Sequence, residues 1–261
     1  MSISSSREFL KEIRRHPENF YIIHYSCQNL NDENEGLSPR ITSIAVTHYA
    51  TEQTVSFSTH AIAEEFHIQR NQVLNDFDRI ERELLKRFFT FGRERRDRYW
   101  IHWNMRNLTY GFEHLEHRYR ILGEQNAPVI PIDRRINLSD MIADRYGSGY
   151  ATHPKMQSLM QLNGGIHRDF LNGEDEVQAF QNAEFIRMHN STLSKVGFFN
   201  FAIKRMLSGK LRTLSKTWGR IVDRVFESRA MKTIGFLATL TTLGFGGVEL
   251  IKIFWRISQL G

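Results

Sequence analysis

Three consecutive strand-like segments near the start of the chain constrain its fold most. Residues 20–30 are rich in aromatic and β-branched side chains, and residues 40–50 and 54–60 alternate apolar with polar side chains. Two short loops, with no helix between them, join the three segments. Strands joined in this way pair with their neighbours in opposite directions, so we predict an antiparallel meander.

Helices and strands alternate after the meander. Apolar spacings of three and four residues, with glycines at helix ends, separate the segments. We predict helices at 71–92, 108–122, 153–165 and 174–193, a strand at 98–104, and a short strand that passes into a helical turn at 136–147. This order predicts an α/β fold with one mixed five-stranded sheet flanked by helices.

The order of these segments resembles that of the RNase H-like superfamily, specifically the proofreading-type (DEDD) 3′–5′ exonucleases with four acidic residues. The strand FYIIHYSCQ matches the family's first strand, which carries two acids one residue apart, and IHWNMRNLTYGF matches its second acidic position. The family's next strand and its His-x-Leu-x-x-Leu helix correspond to INLSDMI and HPKMQSLMQLNGGI. The family's last helix corresponds to EDEVQAFQNAEF. The resemblance covers about residues 20–190 and is one of order and spacing.

The carboxylates of that family are missing from the matching positions. Two-metal hydrolysis of a phosphodiester needs converging carboxylates that hold two divalent ions. The residues at the corresponding positions are His24, Ser26, Gln28, Asn104, Asn107 and Asp175. Amide oxygens can bind Mg²⁺ but cannot neutralise its charge, and Asp175, Glu176 and Glu184 could equally be first-turn and surface acids. We therefore predict a degenerate site without metal or cofactor.

Other chemistry-bearing side chains have structural explanations that we prefer. His24 and His102 are typical of buried sheet residues, and His114 with His117 is only a weak metal-binding pair. Four aromatic residues could stack on nucleobases, although aromatic side chains at such positions more commonly form the core and rim of a sheet. They are Tyr99, Trp100, Trp103 and Tyr110. The single cysteine, Cys27, excludes a disulfide scaffold and a cysteine zinc site, and we expect it to be buried.

The net positive charge of the chain comes from its C-terminal part. The net charge is +6 overall, but residues 195–232 carry +8 and residues 1–194 carry −3. Cations alternate with apolar residues in 195–232, a pattern that suits either anionic lipid or nucleic acid. The cations assigned to such contacts are Lys204, Arg205, Lys210, Arg212, Lys216 and Arg220.

An apolar segment follows the cations. Residues 233–248 contain no charge, and an extension to 255 gives a 23-residue stretch of about 34 Å as a helix. We predict a C-terminal transmembrane helix at 233–256, a basic juxtamembrane segment at 195–232 and an RNase H-like domain at 1–194. The residues expected in or at the membrane are Phe236, Leu240, Gly244, Gly247, Glu249 and Trp255. A buried helix and an interfacial helix are the alternatives.

The N-terminus lacks the apolar region of a signal peptide, and the cations precede the apolar segment. We therefore expect a cytoplasmic N-terminal domain anchored in a bacterial inner membrane. This architecture resembles that of bacterial antiphage effectors, including retron-associated ones, which implies a homo-oligomer in the lipid bilayer, held inactive by a nucleic acid or nucleoprotein partner. An active membrane-anchored 3′–5′ nuclease and a non-enzymatic nucleic-acid-binding scaffold are the competing hypotheses.

Overall fold

A computed structural model describes residues 3–29, 38–106, 110–124 and 127–215. The described residues up to Thr213 form one compact unit. The elements in chain order are α1 (Ser6–Arg15), β1 (Phe20–Cys27), β2 (Ile41–His48), β3 (Thr54–Ser58), α2 (Thr59–Glu65), α3 (Phe77–Arg93), β4 (Tyr99–His102), α4 (Phe112–Ile121), β5 (Arg135–Asn137), α5 (Leu138–Tyr146), α6 (Lys155–Leu162), α7 (Gly173–Gln181) and α8 (Phe185–Leu207).

The five strands form one mixed sheet in the order β3-β2-β1-β4-β5. β1, β2 and β3 pair antiparallel, with Ile23 opposite Val46 and Ile44 opposite Phe57. β4 and β5 extend the sheet in the direction of β1, so that three strands run parallel. The meander and the mixed five-stranded sheet flanked by helices are both confirmed.

The sheet has a hydrophobic core on each face, because successive residues of a strand point to opposite sides. On β1, Ile23 and Tyr25 join one core with residues of α2, α3, α4 and α7. Phe20 and Ile22 join the other core with residues of α1, α5 and the later turns of α8. Burial on both faces explains why β1 is apolar along nearly its whole length rather than alternating.

The predicted helix at 174–193 is two helices. α7 ends at Gln181, α8 begins at Phe185, and Ala183 between them has a left-handed φ of 52°. The rings of Phe180 and Phe185, one from each helix, both pack against Phe77 of α3. A bend between the helices therefore lets both bury an aromatic ring at the same point of the core, although the sequence contains no glycine or proline there.

α8 also runs through the predicted domain boundary after residue 194. Its apolar stripe of Val196, Phe199, Ile203 and Met206 is buried in the second core, and the compact unit extends to Thr213. Residues 195–207 thus belong to the folded unit and not to a separate basic segment, because their apolar face packs against the sheet.

The predicted transmembrane helix lies outside the described residues. So do the residues that we expect in or at the membrane: Phe236, Leu240, Gly244, Gly247, Glu249 and Trp255. Lys216 and Arg220 lie outside them too. Among the described helices, none is both long enough and apolar enough to cross a lipid bilayer.

Candidate functional site

The parallel strands β1, β4 and β5 end at the same edge of the sheet, where ligands of open α/β folds commonly bind. His24 lies on β1, Asn104 follows β4 by two residues, and Asn137 ends β5. A cavity of about 400 Å³ at this edge, which we call the β1–β4 cleft, is closed by the start of α7 and by α8. Its lining residues are His24, Trp103, Asn104, Tyr110, Pro154, Met156, Gln157, Phe170, Leu171, Asn172, Gly173 and Lys195.

A buried ion pair between α7 and α8 lies behind the cleft, and its lysine, Lys195, is one of the lining residues. Nζ of Lys195 lies 2.6 Å from Oε1 of Glu176, and the two residues are only 5% and 1% exposed. Oγ of Ser26, on β1, donates a second hydrogen bond to the same oxygen at 2.9 Å. The carboxylate is thus both neutralised and hydrogen-bonded inside the protein, as a buried charge requires.

His24 is a neutral hydrogen-bonding group. The hydroxyl of Tyr110 lies 3.1 Å from Nδ1 of His24 and 3.2 Å from the carbonyl oxygen of Tyr25, and its single proton can be directed at either. Burial, together with the charge of Lys195, lowers the pKa of His24 well below its ordinary value. The neutral imidazole therefore has one ring nitrogen that donates and one that accepts, and its Nδ1 is hydrogen-bonded to Tyr110.

Asn104 joins the ends of β4 and β5. Its φ of 53° lies in the left-handed region, which asparagine tolerates better than most residues. Its backbone N–H donates to Oδ1 of Asn137, and its side-chain oxygen accepts from Nδ2 of Asn137, both at 3.1 Å. Asp140 accepts from Nδ2 of Asn137 at 3.0 Å and is ion-paired with Arg106 at 2.5 Å. These amides hold the edge of the sheet together.

Some of the degenerate positions thus lie at the cleft, and others lie away from it. His24 and Asn104 line the cleft, and Ser26 contacts the ion pair behind it. Gln28 and Asp175 are exposed; the backbone N–H of Asp175 donates to the capping side chain of Asn172, so Asp175 is a first-turn acid. Its neighbour Glu176 is the carboxylate that reaches β1. Asn107 lies outside the described residues.

The sequence did not predict Lys195 as a residue of the cleft, because its charge was counted with the basic residues of the tail. The buried residues Met188, Thr192, Lys195, Phe199, Ala202 and Met206 recur at alternating spacings of three and four along α8. That spacing is typical of the buried face of a helix, and Lys195 occupies one of its positions. A cation within an apolar helical stripe was therefore the available signal for a buried ion pair.

His102, His114 and Cys27 have internal hydrogen-bond partners. Nε2–H of His114 donates to the carbonyl oxygen of Pro39, and its Nδ1 accepts from the hydroxyl of Tyr25, both at 3.0 Å. Burial lowers the pKa of His102 to about 3 and that of His114 to about 4, and raises the pKa of the Cys27 thiol. Within the described part of the chain, no group of three or more His, Cys, Asp or Glu residues is placed to hold a metal ion.

The assigned cations that the structure describes lie away from the cleft. Lys204 pairs with Glu52 at 2.5 Å, and the guanidinium of Arg205 lies over the ring of Phe201. Lys210 and Arg212 follow α8 and are exposed. All four belong to the compact unit that ends at Thr213.

We compared the chain with protein-family models, with curated proteins and with solved structures, and none of the three comparisons gives a match.

Proposed function

We propose that residues 1–213 form a catalytically inactive RNase H-like domain, which binds a ligand in the β1–β4 cleft and does not cleave it. The observation that carries this proposal is the buried pair of Glu176 and Lys195. The mixed sheet, with three antiparallel strands followed by two parallel ones, supports the relation to that superfamily.

The ion pair opposes catalysis because it occupies Glu176, the carboxylate that accepts a hydrogen bond from Ser26 of β1. The Oε1 atom of Glu176 already faces an ammonium group and the hydroxyl of Ser26. A metal ion at this oxygen would have to displace Lys195, leaving a buried ammonium group without its partner, at a cost of several kcal/mol. The neighbouring positions supply an imidazole and amides, which add no negative charge.

We further propose that this domain is the sensing part of a bacterial antiphage effector. In this proposal residues 233–256 span the inner membrane, the N-terminal domain is cytoplasmic, and a retron-type nucleoprotein or a nucleic acid holds the chain inactive until release lets the spans oligomerise and disrupt the bilayer. The support is the charge-free run 233–248, the cations before it, and Gly244 and Gly247, which permit close helix contact in lipid.

Incubation of the purified full-length chain, in detergent, with end-labelled single-stranded DNA and RNA tests the inactive site. We expect no shortening of either strand with Mg²⁺ or Mn²⁺, because neither ion has converging carboxylates to bind. The Glu176→Gln chain is the matched control. Strand shortening that disappears in this variant would show that the domain is an active nuclease.

A further inference from the structure

Resting on the proposed function, we propose the chemical class of the ligand in the β1–β4 cleft. The geometry points to one uncharged planar heterocycle, a nucleobase, which is held by stacking and by hydrogen bonds to its edge without a metal ion and without a phosphate contact. The base has two sources, a free nucleoside or an unpaired base of a strand.

The size and the walls of the cleft suit a single base with its sugar. Its volume of about 400 Å³ lies near the lower end of the roughly 300–1,000 Å³ typical of small-molecule pockets. Three aromatic residues, Trp103, Tyr110 and Phe170, line it. Stacking on aromatic rings is a general way to hold bases, because every base has a flat π face.

Two of these rings are held in place from behind. The indole of Trp103 stacks on Phe199 of α8, with ring centroids 5.6 Å apart and an angle of 14° between the planes. The ring of Tyr110 packs against that of Tyr25 at 4.5 Å. Rings that are already fixed lose little conformational entropy on binding, so these walls are preorganised for a flat ligand.

The charges of the cleft disfavour an anion. Lys195 is neutralised by Glu176 at 2.6 Å, and His24 is neutral. The first turn of α7, which borders the cleft, carries the exposed acids Glu174 and Asp175. A phosphate in the cleft would therefore find the lining cation already paired and two acids on the helix that borders the cleft, whereas an uncharged ring needs no counter-charge.

The polar groups of the cleft match the edge of a base. The neutral ring of His24 offers a donor or an acceptor, according to its tautomer, and the ammonium of Lys195 has protons beyond the one directed at Glu176. The edge of a nucleobase presents donors and acceptors side by side, so two such groups can select among bases.

Titration calorimetry of the full-length chain in detergent and EDTA tests the proposal. The probes are adenosine, guanosine, cytidine, uridine and thymidine, the five matching 5′-monophosphates, and the five homopolymeric single strands, DNA for thymidine and RNA for the others. We expect one nucleoside to bind, its monophosphate to bind no more tightly, and the nucleoside dissociation constant to change by less than about twofold between low and high salt.

Variants separate stacking from loss of fold. Trp103→Leu removes a stacking surface and should weaken binding about tenfold, whereas Trp103→Phe keeps a ring and should restore most of the affinity. Phe201→Leu, a half-exposed aromatic of α8 outside the cleft, is the matched control and should leave binding unchanged. Tyr110→Phe keeps the ring but removes the hydroxyl that orients His24, so it should weaken binding and reduce the preference for one base.

The outcomes discriminate the two sources and the two proposals. Binding of a strand but of no free nucleoside, lost in Trp103→Leu, identifies an unpaired base as the source. Binding that falls steeply with salt or is unaffected by Trp103→Leu, or the absence of any binding at millimolar probe, overturns the base assignment. Strand cleavage with Mg²⁺ would instead overturn the inactive site, and the titrations in EDTA would still decide the base assignment.

Discussion

At the scale of single residues, the described unit depends on buried polar side chains that are held in one protonation state. His114 is the clearest case: it is fully buried, and it connects the hydroxyl of Tyr25 on β1 to the carbonyl oxygen of Pro39 before β2. In the neutral ring Nε2 carries the proton and Nδ1 accepts from the hydroxyl of Tyr25. Protonation of Nδ1 would remove this acceptor and place a charge in a buried site, which burial disfavours.

Stability should therefore fall as the pH falls. The pKa of His114 is about 4 in the folded chain and about 6.5 when unfolded, so the unfolded chain binds more protons between these values. We expect His114 to contribute a loss of about 1.4 kcal/mol in unfolding free energy per pH unit across this window. In urea unfolding at pH 7, 6 and 5, His114→Gln should show a correspondingly shallower pH dependence.

The exposed His117 on the same helix provides the control. His117→Gln should leave the pH dependence of the unfolding free energy as it is in the parent chain. Equal slopes for the parent chain and His114→Gln would contradict the assignment of a neutral, buried His114.

At the scale of elements, the sequence predicted the strands better than the extent of the helices. The strands stand out because β-branched and aromatic residues cluster in short segments bounded by turns. The break at Ala183 depends instead on a tertiary contact, because two rings, one on each side of the break, pack against Phe77. The continuation of α8 to Leu207 depends on another, because the apolar residues around Phe199 pack in the core against the sheet. Periodicity identifies the apolar face of a helix but not what that face packs against.

The sequence predicted where the candidate site lies but not which charged side chains pair there. The order of segments brings His24 and Asn104 to one edge of the sheet, because β1 and β4 are adjacent and parallel. The pairing of Glu176 with Lys195 joins residues 19 positions apart on two helices whose relative placement is set by the bend at Ala183. A charge pattern along the chain therefore assigned Lys195 to the tail.

The role of α8 gives a prediction about truncation. A chain of residues 1–194 lacks Val196, Phe199, Ile203 and Met206, which are all buried, and it lacks the lysine that neutralises Glu176. At about 2–5 kcal/mol for each large core side chain, their loss is as large as the roughly 5–15 kcal/mol by which a domain is stable. We expect residues 1–194 to be unfolded and residues 1–215 to fold, as measured by near-ultraviolet circular dichroism and thermal unfolding.

A third chain, residues 1–215 with Phe199→Ala, keeps the full length and removes one buried ring. It should unfold at a lower temperature than residues 1–215 but still show a cooperative transition. A cooperative transition for residues 1–194, equal to that of residues 1–215, would contradict the place of α8 in the core.

At the scale of the whole molecule, the distribution of charge separates two parts with different physical requirements. Residues 1–194 carry a net charge of −3 and the cations that follow lead into the charge-free run 233–248. α8 supplies Lys195 to the cleft and is also the helix after which the chain continues into the basic residues. In the proposed effector, ligand binding in the cleft and the basic residues are therefore joined through a single helix.

The membrane proposal predicts a specific toxicity. Expression of the full-length chain in bacteria without its partner should depolarise the inner membrane and arrest growth, because oligomers of residues 233–256 would shelter Glu249 and open a path for ions. Deletion of 233–261 should abolish both effects and move the chain from the membrane fraction to the cytosol. A potential-sensitive dye, growth curves and ultracentrifugation measure the three readouts.

Paired substitutions distinguish helix contact from simple insertion. Gly244→Leu with Gly247→Leu should keep the chain in the membrane fraction but reduce depolarisation, because the larger side chains prevent close approach of neighbouring helices. Leu240→Ile, which changes shape and not size, is the matched control and should remain as toxic as the parent chain. Toxicity that is equal in the full-length chain and in the 233–261 deletion would instead place the effector activity in the folded unit.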